Sequence, residues 1–241
     1  MEKEKIPKII FGFDKDWELK NWYDTITKNI SYNTDNKKTT WGLGSIPEVI
    51  KDVRDKHNTE QKIKREIKKI FDDFIKTKKA KTLKNEVLKK AKKEWGYVGA
   101  RGLFLMSNML EIPIKEFEQK YYAFFTFSGR APFYENKFMF NQFGNFTTQA
   151  FHEIMHIEFL KKYRDYLSDK GLGKEQIEHL KEIFTVLLNE DLRELLVVPD
   201  KGYSGHQIIR SKILNTYKKH RKTRQNFYTF IDKAVKIFKK E

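Results

Sequence analysis

Cysteine is absent from the chain, which excludes disulfides and thiolate metal ligands, so any bound metal has to be held by nitrogen and oxygen. A reducing cytoplasm is then the default compartment. No run of 18 apolar residues occurs, and the first residues, MEKEKIPKIIFGF, mix acidic with basic charge around no apolar stretch or small-residue cleavage site. Nothing there marks the chain for export or for a membrane span. Proline is scarce at five residues and histidine at six, so each histidine is worth placing.

What the chain does contain is enough apolar material for a core. Over 241 residues it is 39% hydrophobic, with 20 Phe and 11 Tyr, which suits one large domain or two small ones. The formal charge of +16 is unevenly spread. Residues 51–93 hold 17 Lys and Arg against 7 Asp and Glu, and residues 217–241 hold 9 against 2. Between them, residues 145–200 are acidic, with 7 against 11. Basic faces attract nucleic acid or acidic partners, but lysine-rich helices also serve simply to stay solvated, and that is the simpler expectation here.

One stretch carries chemistry. Thr147 to Lys162, TTQAFHEIMHIEFLKK, contains His152, Glu153 and His156 in the spacing HExxH. On a helix, residues i and i+4 lie on one face, so both imidazoles can reach one cation while Glu153, about 100° round, leans over a metal-bound water. Asn145, Thr147 and Thr148 offer N-caps, no Pro or Gly interrupts the run to Asp169, and Gly171 and Gly173 close it. Phe159, Leu160 and Tyr163 fall on the histidine face, so the ligands are expected to point inward.

A catalytic zinc needs a third protein ligand and an open position. Lys174 to Leu196 reads as one helix whose solvent face is Glu178, Glu182, Thr185, Asn189 and Arg193. Glu190 falls among Ile183, Val186 and Leu187, and a carboxylate among aliphatics is costly unless paired or bound to metal. Glu190 is the expected third ligand, with Asp191 and His206 as rivals.

The rest of the chain gives the frame. Ile6 to Phe13 reads as a short strand, and residues 14–45 are mixed, with Trp17, Trp22, Tyr23 and Trp41 among polar residues. Ser45 to Lys56, Thr59 to Lys79 and Lys84 to Trp95 read as helices, the second with Ile63, Ile67, Ile70, Phe71 and Phe74 on one face. Gly96, Gly99 and Gly102 mark a change of character. Tyr121 to Phe127 and Lys137 to Asn141 read as strands, and Ile208 to Lys240 as helical. A sheet edge beside a metal can take a peptide as an added strand.

HEIMH at 152–156 and NEDLRE at 189–194 make the sequence resemble the zincin class of zinc metallopeptidases, and more closely its glutamate-ligand branch, the gluzincins. FTFSGRAPFY, LLNEDL and KGYSGHQ also resemble segments of a group of prokaryotic HExxH proteins. The resemblance spans residues 120–206 at most. It implies peptide-bond hydrolysis by a zinc-activated water with Glu153 as general base, a peptide or protein substrate, and oxyanion stabilisation by Tyr203 or His206 in KGYSGH. Glu194, one turn after Glu190, takes the place of the branch's second acid.

The expected fold is therefore α+β, a mainly helical zincin-like domain with a small antiparallel sheet next to the HExxH helix. Residues 1–100 form a lysine-rich, mostly helical portion and 101–241 the catalytic portion, or the two are one continuous domain. A non-catalytic zinc-binding protein and a basic nucleic-acid-associated protein are the competing expectations. The intact Glu153 favours the enzyme over the first, and the separation of the basic segments from residues 145–200 weighs against chemistry on nucleic acid.

Overall fold

The computed structural model describes residues 5–30, 39–40, 42–56, 59–223 and 225–240. Trp41, Arg224 and the leading residues Met1 to Glu4 lie outside them. Strand β1 (Lys8–Gly12) leads into α1 (Lys15–Thr27), whose N-cap Asp14 accepts a hydrogen bond from Trp17 N at 3.0 Å. A two-residue antiparallel pair, β2 (Asn29–Ile30) with β3 (Thr39–Thr40), precedes α2 (Lys51–Lys56) and α3 (Glu60–Lys76). In α3 the Ile67 and Phe71 side chains are fully buried, and Phe71 and Phe74 pack on Trp22 of α1 with ring centroids 5.0 and 5.4 Å away.

Helix α4 runs unbroken from Lys78 to Leu110, through the three glycines that read in sequence as a change of character. Those glycines are not stops. A Cβ on Gly102 would stand 1.9 Å from Phe151 Cζ, and one on Gly99 2.3 Å from Trp95, so two of them are places where rings press against the helix backbone. Position 100 thus falls inside a helix, and β1 shares a sheet with strands from the second half of the chain.

That sheet is mixed. Its order is β1, β4 (Lys120–Phe125), β6 (Lys137–Phe140), β5 (Phe133–Tyr134), with β1–β4 and β4–β6 parallel and only β5–β6 antiparallel. The expected antiparallel pairing of the two long strands is corrected by the hairpin between them. Phe133 pairs with Phe138 and Tyr134 with Lys137 across a two-residue turn in which Glu135 adopts φ 52°. The chain therefore passes out to the edge as β5 and returns as β6 in the middle, parallel to β4.

Helix α5 (Phe146–Asp169) packs on β6 and α4, capped by Asn145, which accepts from Thr148 N at 3.2 Å. Phe151, Ile154, Met155, Phe159 and Tyr163 are buried along it. The segment read as one helix from Lys174 to Leu196 is three pieces: α6 (Lys174–Phe184), a 3-10 turn at Thr185–Leu187, and α7 (Leu188–Asp191). The last region is two helices, α8 (Gln207–His220) and α9 (Phe227–Phe238), with Phe230 and Ile231 fully buried. One apolar core runs from Trp22 to Val235. Among the described residues no helix is long and apolar enough to cross a membrane.

Candidate metal centre

α5 and α6 cross so that three side chains converge. His152, His156 and Glu182 each offer one donor atom, and these atoms lie within 4.8 Å of one another. Glu182 Oε2 is 3.4 Å from His152 Nε2 and 3.6 Å from His156 Nε2. The two imidazole rings stand 4.3 Å apart at 66°. Donor atoms about 2.1 Å from a tetrahedral zinc stand about 3.4 Å from each other, so these separations fit a metal that draws the three together slightly.

The buried polar atoms point the same way. His156 Nδ1 and Nε2, Glu182 Oε2 and Glu153 Oε2 are buried and have no hydrogen-bond partner. Orphaned polar atoms of this kind are costly, and a cation at their centre would satisfy those that face it. Glu153 Oε2 is 3.7 Å from His156 Nδ1. It is close to the cluster without joining the three converging donors.

The surrounding groups hold the donors in place. Asp200 Oδ2 lies 2.6 Å from His152 Nδ1, which leaves Nε2 facing Glu182. Asp200 Oδ1 accepts from Thr185 Oγ1 at 2.8 Å and from the Arg210 guanidinium at 2.7 Å, and its backbone N–H donates to Asn189 Oδ1 at 2.7 Å. Arg210 also donates to the Glu182 carbonyl at 2.9 Å. Burial would push the Asp200 carboxyl up, but charge on His152 and Arg210 holds it well below its ordinary value. Burial likewise works against an ionised Glu182, and the imidazoles of His156 and His152 with the Lys181 ammonium hold its carboxyl well down.

Glu182 replaces Glu190 as the third donor. Glu190, at the end of α7, forms an ion pair with Lys218 at 2.9 Å and is 38% exposed. Its rival Asp191 accepts from the Tyr217 hydroxyl and pairs with Arg221 at 3.3 Å. Glu194 pairs with Arg101 at 2.8 Å, and both side chains are exposed. Three of the five residues expected on a solvent face lie inside instead: Glu182 and Thr185 are 5% and 0% exposed, and Asn189 donates to the Asp200 carbonyl at 2.8 Å. His206 is buried with Nε2 3.2 Å from His179 Nδ1, and Tyr203 packs edge-on against it at 5.8 Å. Burial, with the neighbouring His179, pushes the His206 imidazole down to about 4, so it is neutral at neutral pH.

Neither family models, curated proteins nor solved structures give a match to the chain. The assignment of chemistry therefore rests on the site itself. Asp200 is the residue sequence reasoning missed altogether: it lies in a loop after Pro199, where no periodicity marks it.

Proposed function

We propose that the chain is a zinc-dependent peptidase whose metal is held by His152, His156 and Glu182. The observation that carries this reading is the convergence of one donor atom each from His152, His156 and Glu182 within 4.8 Å, the His156 and Glu182 atoms being buried and without a hydrogen-bond partner, with Glu153 Oε2 3.7 Å from His156. A zinc bound there would act as a Lewis acid on a substrate carbonyl and lower the pKa of water to about 7. Two imidazoles and one carboxylate are a donor set that zinc accepts, and the HExxH spacing supplies a base next to it.

The protein's own groups then have separate tasks. Glu153, a carboxylate adjacent to His156 and outside the donor set, takes the proton of the attacking water and passes it to the leaving amine. His152 and His156 are held at i and i+4 on α5, and Asp200 orients the first of them. Strand β5 is a sheet edge, and the ring of Phe133 stands 5.5 Å from that of His156, so an extended peptide added to this edge would pass the metal centre. Tyr203 and His206 are the groups we assign to the oxyanion, with a neutral imidazole able to donate one hydrogen bond.

The test is a pair of measurements on protein prepared without a histidine tag. Elemental analysis should find one zinc per chain in the wild type and little in His152→Ala. Glu153→Gln should keep the zinc and lose turnover on a peptide library. Iron in place of zinc, or full activity in Glu153→Gln, would remove the peptidase reading.

A further inference from the structure

Beside the donors, α6 buries a cation to which the proposed reaction gives no task. Lys181 is 4% exposed, with Nζ 3.0 Å from Glu182 Oε1 and 3.1 Å from Glu178 Oε2. The same ammonium stands 4.6 Å above the ring of Phe133. Lysine is almost never fully buried unless paired, and its long side chain could reach water from most positions on α6. Here it is turned inward, onto a metal-ligand candidate and onto the edge strand.

The contact divides the two oxygens of Glu182. Oε1 takes the charge-assisted hydrogen bond from Lys181, while Oε2 has no hydrogen-bond partner and faces both histidine Nε2 atoms. A carboxylate with both oxygens available can bind a cation through either one or both. One whose second oxygen is held by an ammonium offers a single donor. Phe133 extends the arrangement, because it touches Lys181 on one side and His156 on another.

We propose that Lys181 is a positioning residue that makes Glu182 a one-oxygen ligand, so that the protein supplies three donor atoms rather than four. This rests on the metal-centre reading above. It concerns how the ligand is presented, and a merely structural ion pair would not require it. A three-donor set leaves a tetrahedral ion one position that the protein does not fill.

Cobalt(II) titrated into metal-free protein reports the donor count, because four-coordinate cobalt absorbs visible light several-fold more strongly than five- or six-coordinate cobalt. The wild type should give the strong spectrum. Lys181→Met, which keeps the length of the side chain and frees Oε1, should bind cobalt with a several-fold weaker one, and Glu178→Gln, which leaves the Lys181–Glu182 contact, should match the wild type. A Lys181→Met spectrum identical to the wild type overturns the inference while leaving the metal centre intact. If the wild type binds no cobalt, the metal-centre reading fails and takes the inference with it. Should Lys181→Met not fold, the metal-bound minus metal-free infrared spectrum of the wild type decides: a wide separation of the carboxylate stretches indicates one-oxygen binding and supports the proposal, and a narrow separation overturns it.

Discussion

Asp200 Oδ2 stands 2.6 Å from His152 Nδ1, and this contact settles which nitrogen the histidine turns towards Glu182. With Nδ1–H donating to a carboxylate, Nε2 is the free donor, and it is the atom 3.4 Å from Glu182 Oε2. Asp200 cannot swing away, because Thr185, Asn189 and Arg210 hold its other polar atoms. Asp200→Asn should therefore weaken zinc binding by about 10 to 100-fold, the usual size of such a loss, with little change in overall fold. A competition titration against a chelator of known affinity measures this. An unchanged affinity would mean that the Asp200 contact does not orient the ligand.

Glu182→Ala and Glu190→Ala separate the two candidate third ligands in one titration. Glu182→Ala removes one of three donors and should lower zinc affinity by orders of magnitude. Glu190→Ala breaks only a surface pair with Lys218, and exposed pairs contribute about 0 to 1 kcal/mol, so affinity and stability should both stay near wild type. The opposite ranking would return the ligand role to α7.

How much of this could be read from sequence depends on whether the signal is periodic. α5 was legible because an Asn cap, an uninterrupted apolar stripe and two histidines at i and i+4 agree with each other. The structure brings Glu182 to the histidines where Glu190 was expected, because a helical wheel assumes one phase and one solvent side. The 3-10 turn at Thr185–Leu187 breaks the phase before Glu190, and the polar stripe is covered by protein instead of water, with Glu182 against the histidines of α5 and Thr185 and Asn189 against Asp200. Glu182, Thr185 and Asn189 lie on that stripe, and their clustering around Leu180 to Leu188, a stretch with little other charge, is the signal that could have marked them. The glycines of α4 misled in a different way, since a glycine that ends a helix and one that admits a neighbouring ring look the same in sequence.

Two of those glycines make opposite predictions. Gly102→Ala gains helix propensity of about 1 kcal/mol, but its Cβ would meet Phe151 Cζ at 1.9 Å, and Phe151 is fully buried against Trp95 with ring centroids 5.1 Å apart. The ring has no open side, so overpacking, at about 1 to 3 kcal/mol or more, wins and the variant should unfold at lower temperature. Phe151 adjoins His152, so zinc affinity should fall too. Gly96→Ala meets nothing within 4 Å and should raise stability by about 0.5 to 1 kcal/mol. Thermal melts of the two variants test the pair, and a stabilised Gly102→Ala would show that α4 and α5 are not in close contact there.

The last prediction concerns a carboxyl remote in sequence from the metal centre. Glu18 of α1 is completely buried, and its Oε1 accepts from Trp22 Nε1 and from Phe127 N, both at 2.8 Å. Burial raises its pKa to about 7 from an ordinary 4.5, with the hydrogen bonds from Thr126, Phe127 and Trp22 only partly opposing the shift. A folded-state pKa above the unfolded one means that the native protein holds the proton more tightly. The corresponding stability is fully present below pH 4.5 and is lost as pH rises through about 7. A difference of this size corresponds to about 3 kcal/mol. Glu18→Gln keeps an acceptor for Trp22 and Phe127 but cannot ionise, so the variant should lack this loss between pH 5 and 8. Relative to wild type it should therefore gain stability as pH rises from 5 to about 7 and level off above that. Urea unfolding of both metal-free proteins at several pH values isolates the effect, because every other titrating group is common to the two. A stability difference that does not change with pH would show that Glu18 is already ionised in the native protein at the acidic end.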